Sequence, residues 1–344
     1  MSYRLQSTLI ASILLVFTGL GSTAIADDDV EFIDRPITDT DRDDGLHGSF
    51  DVEGSFNLVS NRNRIGQNDG TSMHVGGGFN GQLDYLSGDH RLRNRLNYDG
   101  SWARTPKLEQ FVKNNDSVDF ESLYYYQLLD WLGPFGRFNL QTAAFATDSI
   151  TATEVDYFVT YADGHEERMT TDRLRLADPF RPIELFESAG IAAEPVRETP
   201  VTLTTRTGFG ARQTFASGVF VLQDDVDTEA ETEVTELANT FQAGAEAFVG
   251  LEGSFDDQRV RYRAGATGLI PFINNDDTGR SALELTRLGF TGEARVDIFD
   301  WMGLRYNVLV LNDPQLLDEV QVQNSLLLTF NYTLLDTDAG DEDA

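Results

Sequence analysis

The stretch NSLLLTFNYTLLD, Asn324–Asp336, carries the pattern that decides the fold class of this chain. From Ser325 to Leu334, apolar side chains fall on every second position and polar side chains lie between them, with Leu327 as the one exception. A period of two is typical of a β-strand with one apolar face and one polar face. The apolar face contacts either a protein core or lipid, and the stretch alone does not choose. Its alternating apolar residues are Leu326, Leu328, Phe330, Tyr332 and Leu334.

The same alternation recurs along the chain and predicts a series of long strands. Strands of soluble proteins have about five or six residues, whereas strands that cross a bilayer need about 9–11, and most segments here are at least that long. The lengths favour an all-β fold, a closed antiparallel transmembrane β-barrel of about 12 strands. The predicted strands lie at 50–58, 74–85, 91–102, 117–129, 135–149, 200–213, 236–254, 259–272, 287–298, 303–312 and 319–335.

One strand of an even-numbered barrel is missing from that series, and we expect it within 150–199. Thr153–Tyr161 and Glu167–Leu176 flank the sequence ADGH, which predicts a hairpin turn. The first arm would extend the strand before it, and the second arm would be the twelfth strand. The following segment DPFRPIELFESAGI, Asp178–Ile191, has proline near its start and glycine near its end. That pattern predicts a short periplasmic helix in the 179–191 segment.

The connections alternate in length, as in outer-membrane barrels, where tight turns face the periplasm and longer loops face outward. Both kinds are polar and rich in turn-forming residues. The predicted short turns are Ser87–His90, Trp131–Pro134, Phe255–Gln258 and Asp300–Gly303, and the predicted long loops are Asn61–Gly70, Thr105–Asp116, Ser217–Glu233 and Ile273–Gly279.

The two ends of the chain differ from its middle. Residues 1–26 have one early arginine, the apolar run Leu9–Leu20 and the small-residue site Ala24–Ala26, which predicts a cleaved secretory signal; an N-terminal membrane anchor is the alternative. Residues 27–46 and 336–344 are acidic and predicted to be flexible. The barrel is expected within 47–335. The chain has no cysteine, which excludes disulfides and thiol chemistry.

A formal net charge of −31 argues against nucleic acid as a partner. Charged residues nevertheless occupy the polar face of many predicted strands, with opposite signs on neighbouring strands. Such cross-strand pairs stabilise a sheet, and inside a barrel they would form a charged, water-filled constriction that selects solutes. The alternative is a salt-bridged interior that is closed. The predicted ladder of interior charges comprises Arg91, Arg93, Arg95, Asp119, Glu121, Glu246, Glu252, Arg259, Arg261, Arg263, Arg287, Glu293, Arg295 and Asp297.

Aromatic residues recur near the predicted short turns. The sequences LDWLG at 129–133 and FDWMG at 299–303 resemble each other, and each has a tryptophan beside a turn. Aromatic side chains prefer the membrane interface, so we interpret these residues as a girdle at one membrane surface, with ordinary core packing as the alternative. The predicted girdle comprises Tyr85, Tyr126, Trp131, Phe135, Phe255, Trp301 and Tyr332.

The sequence has none of the common catalytic or cofactor-binding motifs. The four histidines do not have metal-ligand spacing, and the chain has no nucleophile elbow, phosphate loop or zinc-protease motif. We therefore expect no enzyme activity, no cofactor and no tightly bound metal. The acidic stretches Asn274–Asp277 and Asp224–Asp227 offer oxygen ligands that divalent cations would accept, although solvated loop acids are the simpler interpretation.

Several segments together resemble known barrel families. The turn LLDWLGPFG, the segment DPFRPIELFESAGI and the strand VTLTTRTGFGARQTF resemble uncharacterised outer-membrane β-barrel families of Gram-negative bacteria, with the salt-induced outer-membrane protein group as a related example. The resemblance covers roughly 47–335 and is diffuse. It implies an outer-membrane location and, as partners, membrane lipid and lipopolysaccharide. It implies no catalytic residues and no oligomeric state.

Three functions from different classes remain open on the sequence alone. The first is a narrow passive channel with a mixed-charge polar interior. The second is a closed structural or surface-interaction barrel whose acidic loops bind cations or partners. The third is a soluble secreted β-protein.

Overall fold

The computed structural model shows a closed β-barrel with a second, smaller sheet attached. Each strand of the barrel is long and pairs on both sides, so its residues alternate between the inside and the outside of the ring. No helix in the part of the chain described is long and apolar enough to span a membrane. The structure describes residues 43–61, 70–106, 108, 110–198, 200–222, 231–256, 259–276, 278–299 and 301–336.

Twelve antiparallel strands form the barrel, in the ring order β1-β16-β15-β14-β13-β12-β9-β8-β5-β4-β3-β2. Consecutive strands are ring neighbours except where β6–β7 and β10–β11 leave the wall. The strands are β1 Gly45–Asn61, β2 Gly70–Ser87, β3 His90–Arg104, β4 Val112–Tyr126, β5 Leu132–Thr142, β8 Ile183–Glu198, β9 Val201–Phe215, β12 Thr240–Phe255, β13 Val260–Asn274, β14 Arg287–Phe299, β15 Met302–Asp313 and β16 Leu317–Asp336.

The remaining four strands form a separate sheet in the order β10-β11-β6-β7. Two barrel connections supply it: β6 and β7 come from the segment between β5 and β8, and β10 and β11 from the segment between β9 and β12. Parallel pairing of β11 with β6 joins the two. One face buries Tyr157, Val159 and Val234 with neighbouring apolar side chains. The strands are β6 Thr147–Thr160, β7 Glu166–Ala177, β10 Phe220–Leu222 and β11 Thr232–Glu236.

The region 150–199 differs from the sequence prediction in two ways. The expected hairpin forms, because β6 and β7 pair across residues 161–165. Neither arm joins the barrel, however, so the expectation for the twelfth strand was wrong. That strand is β8, which covers most of the segment predicted as a helix, and the predicted short helix in 179–191 is absent.

Glycine explains why the helix prediction failed. Gly190 was interpreted as a helix end, but it lies inside β8 opposite Gly208 of β9. A Cβ atom on Gly190 would overlap the Thr207 carbonyl oxygen, and a Cβ on Gly208 would overlap the Ala189 carbonyl oxygen. The two backbones approach too closely for any side chain, which is what glycine permits in a bent strand. Gly190 therefore permits this contact between strands and does not end a helix.

Similar glycines lie on the other side of the ring, in β2. A Cβ on Gly76 would overlap the Ser55 hydroxyl, and a Cβ on Gly78 would overlap the Tyr98 carbonyl oxygen. In β2, as in β8 and β9, glycine therefore stands where atoms of a neighbouring strand approach too closely for a side chain.

We predict that replacing Gly190 with alanine destabilises the barrel. The added methyl group must displace the Thr207 backbone, and overpacking of this kind costs about 1–3 kcal/mol. Gly136 in β5 is the matched control, because a Cβ there meets no atom within 4 Å. Thermal unfolding followed by circular dichroism should show a lower midpoint for Gly190→Ala than for Gly136→Ala. Equal midpoints for the two variants would contradict the close approach.

Candidate functional site

The barrel interior is defined by side chains from strands that are not neighbours. Gln242 of β12 and Asp313 of β15 are separated in the ring by two strands, β13 and β14, yet the Gln242 Nε2 donates to Asp313 Oδ1 at 3.4 Å. Arg206 of β9 lies within electrostatic range of Glu121 on β4 and Glu246 on β12. Such contacts form only through the enclosed space, so these side chains point inward.

One group of interior charges surrounds Arg206. Its guanidinium carbon lies 4.3 Å from the centroid of the Phe248 ring and 6.0 Å from that of Phe135. Glu121 accepts a hydrogen bond of 2.7 Å from Arg137 Nε, and both side chains are buried. A buried arginine between two carboxylates and two aromatic faces is held by charge and by cation–π contact.

Neighbouring strands extend this group with further polar contacts. Arg93 of β3 forms an ion pair with Asp84 of β2 at 3.2 Å. Asp119 of β4 accepts a hydrogen bond of 2.7 Å from Asn139 of β5. Arg95 is buried and lies directly opposite Glu121 in the β3–β4 register. The interior of this half of the barrel is therefore a continuous polar network.

A second group of charges lines β13, β14, β15 and β1. Arg263 pairs with Glu293 at 3.1 Å. Arg305 reaches over β16 and binds both carboxylate oxygens of Glu53, at 3.1 and 2.9 Å. A two-point contact between guanidinium and carboxylate is the strongest geometry for such a pair. Arg305 also lies 3.9 Å from Glu293, so four strands share one network.

The predicted ladder residues divide between these two groups and the barrel ends. Arg261 and Arg295 both contact Asp297 near the short-turn end, each at 2.8 Å. Arg287 pairs with Asp313 near the long-loop end, at 3.2 Å. Glu252 lies opposite Arg263 in the β12–β13 register, and Glu246 is buried.

Two predicted ladder residues lie outside these groups. Arg259 falls in the turn before β13, with its side chain 62% exposed and 3.7 Å from Asp256. Arg91 donates to the carbonyl oxygen of Gly88 in the turn before β3, at 2.8 Å. Arg259 precedes the first residue of β13, where alternation no longer reports a face, whereas Arg91 is the second residue of β3 and its side chain bonds back to the turn.

An apolar cluster inside the short-turn end was not predicted. Phe135, expected on the outer girdle, packs inward with Leu123, Tyr125 and Ala192, all buried. The Arg206 contact with the Phe135 ring confirms its direction. The sequence hid this cluster because 124–126 is a run of three tyrosines, in which every position is aromatic and alternation gives no direction.

The other girdle residues lie at or near the short-turn end. Tyr85, Trp131, Phe255, Trp301 and Tyr332 are exposed. The Trp301 ring stacks between two other aromatic rings. Its centroid lies 5.7 Å from that of Phe299 and 6.0 Å from that of Phe330. Tyr126 is partly buried, and its ring lies 5.1 Å from that of His90.

The opposite end of the barrel carries the four-stranded sheet. Leu316, in the turn between β15 and β16, packs against a buried cluster that includes Ala177, Val219 and Leu237. The β15–β16 turn and the β5–β8 pair lie nearly opposite each other in the ring. The sheet therefore extends across the mouth of the barrel. A small, mainly apolar cavity remains between them, lined by Leu176, Pro182, Thr214, Phe220 and Leu316 among others.

A buried ion pair anchors this sheet to the wall. Asp116 of β4 accepts hydrogen bonds from the backbone N–H groups of Ala144 and Phe145, at 3.1 and 2.7 Å. Lys113 Nζ donates to Asp116 at 3.0 Å and to the Phe145 carbonyl oxygen at 2.7 Å. The chain is thus held where it leaves β5 and enters β6.

The acidic stretches proposed as cation sites have different fates. Asp224–Asp227 lies outside the described residues. In the other stretch, Asp276 accepts from Arg280 at 2.6 Å and from the Thr278 hydroxyl at 2.7 Å, and these contacts hold the pKa of Asp276 at about 2. Among the described residues, no group of three or more acidic or histidine side chains is arranged to hold a metal ion. Cation binding stays a prediction.

Comparison with known proteins gives only distant likenesses. No protein-family model and no curated protein sequence matches the chain. Among solved structures, an outer-membrane channel from Pseudomonas putida F1 is similar with a TM-score of 0.38 and 10% identity, covering 88% of this chain and 99% of that one. The translocator domain of the autotransporter NalP from Neisseria meningitidis has a TM-score of 0.34 and 12% identity, covering 85% and 90%. Similarity at this level does not indicate function, and the resemblance to a barrel family stays a prediction.

We predict that acid loosens the four-stranded sheet through Asp148. Partial burial raises the pKa of this carboxyl, but hydrogen bonds and charges from Arg173 and Arg175 outweigh burial and hold the pKa below its usual 3.8. Because the folded pKa is depressed, the stabilisation is present above pH 3.8 and is lost as the pH falls through the folded value.

Hydrogen exchange of the β6 and β7 amides, corrected for intrinsic rates, measures this loss. Exchange should accelerate as the pH falls below 3.8 in the natural protein, and Asp148→Asn should flatten that dependence. Asp163→Asn, in the β6–β7 turn, is the matched control and should keep the natural profile. An unchanged profile in Asp148→Asn would assign the acid response to other groups.

Proposed function

We propose that this protein is an outer-membrane β-barrel that conducts small solutes through a narrow interior of mixed charge. The observation that carries the proposal is the division of residues between the two faces of the wall. Outward positions are apolar and inward positions are charged, which is the reverse of a soluble barrel with an apolar core. A wall of this kind is stable where lipid covers its outside.

The outer face supports a membrane location. Among the outward positions of the described barrel strands, the acidic or basic residues away from the strand ends are Glu187 in β8 and the buried Asp116 in β4, which is paired with Lys113. Large apolar side chains are exposed all around the ring, for example Leu83, Val249, Phe290 and Leu326. Exposed apolar area on this scale marks a surface that contacts lipid or protein, and a complete belt favours lipid.

The interior supports passage of small polar or charged solutes. Its arginines pair with carboxylates of other strands, so the wall presents fixed charges of both signs to anything that enters. Rings of such charges select solutes in known pores. A barrel of twelve strands is wider than one of eight strands, whose interior is filled by side chains. It is narrower than a porin, whose lumen is open to water.

A second candidate is a closed barrel whose four-stranded sheet serves as a surface-interaction module. The position of the sheet across the mouth favours this alternative. The exposed face of the sheet is polar, with Arg168 paired to Glu231 at 2.9 Å and lying 4.7 Å from the Phe158 ring. Conductance separates the two candidates.

We predict that Val249→Arg impairs membrane insertion. Val249 is exposed, lies midway along β12 and points outward, so an arginine there would face hydrocarbon at a cost of about 2–4 kcal/mol. The same change at Glu154, exposed on β6, is the matched control and should have no effect. Flotation with vesicles and the heat-dependent gel shift of folded barrels measure insertion. Equal insertion of both variants, or recovery of the natural protein in the soluble fraction, would contradict the membrane assignment.

We predict that removing β6 and β7 increases conductance. Thr142 and Ile183 are paired neighbours, so a short glycine-serine linker can join β5 directly to β8. Planar-bilayer recordings should show small or infrequent openings for the natural protein and larger, longer openings for the shortened one. An insertion of equal length in the β6–β7 turn is the control. Failure of both proteins to conduct would reject the channel and leave the closed barrel.

A further inference from the structure

The wall of the barrel is incomplete where the first and last strands meet. The β1–β16 ladder runs only from Ser49 opposite Asp336 to Ser55 opposite Thr329. Beyond that point Phe56–Asn61 pairs with β2 alone, and Leu317–Leu328 pairs with β15 alone. Among the described residues, no backbone pair joins the two strands over this upper half of the wall. The seam opens toward the long-loop end.

A glycine of β2 lies where the opening begins. Gly76 lies opposite Ser55, the last β1 residue that is paired with β16, and a Cβ on Gly76 would overlap the Ser55 hydroxyl. Unpaired backbone groups are strongly unfavourable in a dry bilayer, so an unpaired seam in a membrane wall requires a compensating use or occupant.

The outer border of the opening is apolar. Phe56 and Leu58 of β1 and Leu326 and Leu328 of β16 all point outward and are exposed. These four side chains are where a molecule dissolved in lipid would first meet the seam. A charged molecule would gain nothing from such a border, whereas a hydrocarbon part would stay in apolar surroundings.

The inner border of the opening is uncharged, unlike the rest of the interior. Among the described inward positions of β16 and the adjoining part of β15, Asp313 at the rim is the one charged residue above Arg305. Leu327, the exception to the alternation within Asn324–Asp336, points inward beside the last residues of the β1–β16 ladder. Asn307 Oδ1 and Gln321 Nε2 are buried and have no hydrogen-bond partner among the described residues. The other inward residues here are Leu309, Leu311, Gln323 and Ser325.

A charged clasp closes the seam below the opening. Arg305 of β15 and Glu53 of β1 pair across β16 with two hydrogen bonds, two residues along β1 from the end of the ladder. The pair ties β1 to β15 over the strand between them. The opening thus has a fixed lower edge, an apolar outer border and an uncharged inner border that offers hydrogen-bonding groups.

We propose that this seam is a lateral portal through which an uncharged, mainly hydrocarbon molecule passes between the barrel interior and the surrounding lipid. The proposal rests on the membrane location proposed above but not on conductance. A peptide strand that completes the ladder is the competing occupant. The portal is favoured because the inner border carries leucine and single amide groups that suit a small molecule with one polar group.

Lipid access to the seam is the first test. The chain has no cysteine, so single-cysteine variants are unambiguous. Leu327→Cys points inward at the seam, and the matched control Thr267→Cys points inward on β13, which is paired there with both neighbours. Pyrene-maleimide dissolved in the bilayer of proteoliposomes should label Cys at 327 several-fold faster than at 267. Equal rates in protein that floats with the vesicles would overturn the portal alone, whereas protein that does not float would overturn the membrane proposal first.

Passage through the seam is the second test, made with a disulfide lock. Asn57→Cys/Leu327→Cys lies one step past the ladder and should lock the seam, whereas Ser55→Cys/Thr329→Cys lies within the ladder and is the control pair. In cells that express the protein, oxidation of the lock should slow uptake of the neutral probe N-phenyl-1-naphthylamine several-fold. Uptake of the anionic 8-anilino-1-naphthalenesulfonate, and uptake by the control pair, should not change. Uptake that is insensitive to the formed lock would overturn the portal.

Two further outcomes identify the occupant. If oxidation instead slows transbilayer movement of a pyrene-labelled phospholipid in proteoliposomes, the hydrocarbon molecule is a membrane lipid. If the cysteine at 327 is protected in native membranes but labelled after purification, a partner strand fills the seam, and the portal is rejected. If the lock disulfide does not form, the labelling rates decide.

Discussion

Closure of the ring depends on one short ladder between the two ends of the chain. Ser49–Ser55 must pair with Thr329–Asp336 before β1 and β16 have neighbours on both sides, and these segments lie at opposite ends of the described sequence. Without that ladder, β1 and β16 would both present free edges along their whole length. With it, the chain has a single inside and a single outside, and every other feature of the wall follows from that separation.

The interior satisfies its charges through geometry imposed by the wall. Glycines allow neighbouring strands to approach closely in β2 and at β8–β9. Inward side chains of distant strands also come within reach of one another: Arg206 meets partners from β4 and β12, and Gln242 meets Asp313. Burial of so many charged groups is tolerable because each group that pairs offsets the cost of desolvation.

Much of the barrel could be predicted from the sequence because alternation reports a face directly. The strand series, the closed antiparallel ring of twelve strands and the apolar outer face follow from a period of two in strands such as β3, β14 and β16. The helix prediction for 179–191 failed because of a tertiary contact. In β8, proline and glycine resemble helix boundaries, but the glycine serves a contact with β9 that is distant in sequence.

Other features were invisible because they depend on tertiary pairing. The parallel contact of β11 with β6 joins two loops, and no local pattern in either loop predicts it. The inward direction of Phe135 could not be predicted, because the strand that pairs with it ends in three consecutive tyrosines at 124–126. The open seam follows from where a ladder stops, which alternation does not report. Signal and tail assignments, at 1–26 and 336–344, lie almost entirely outside the described residues and stay predictions.

The origin of the four-stranded sheet in two separate loops has a consequence for assembly. Thr232–Thr235 pairs with Tyr157–Thr160, and the chain between them contains β7, β8, β9 and β10. Contacts between residues so far apart in sequence form late, after the intervening chain is ordered. The wall strands β8 and β9 hold the two loops side by side, so the covering sheet is completed only on a wall that already exists. A nascent barrel is therefore open at that end, and it becomes covered as the last step of its own folding.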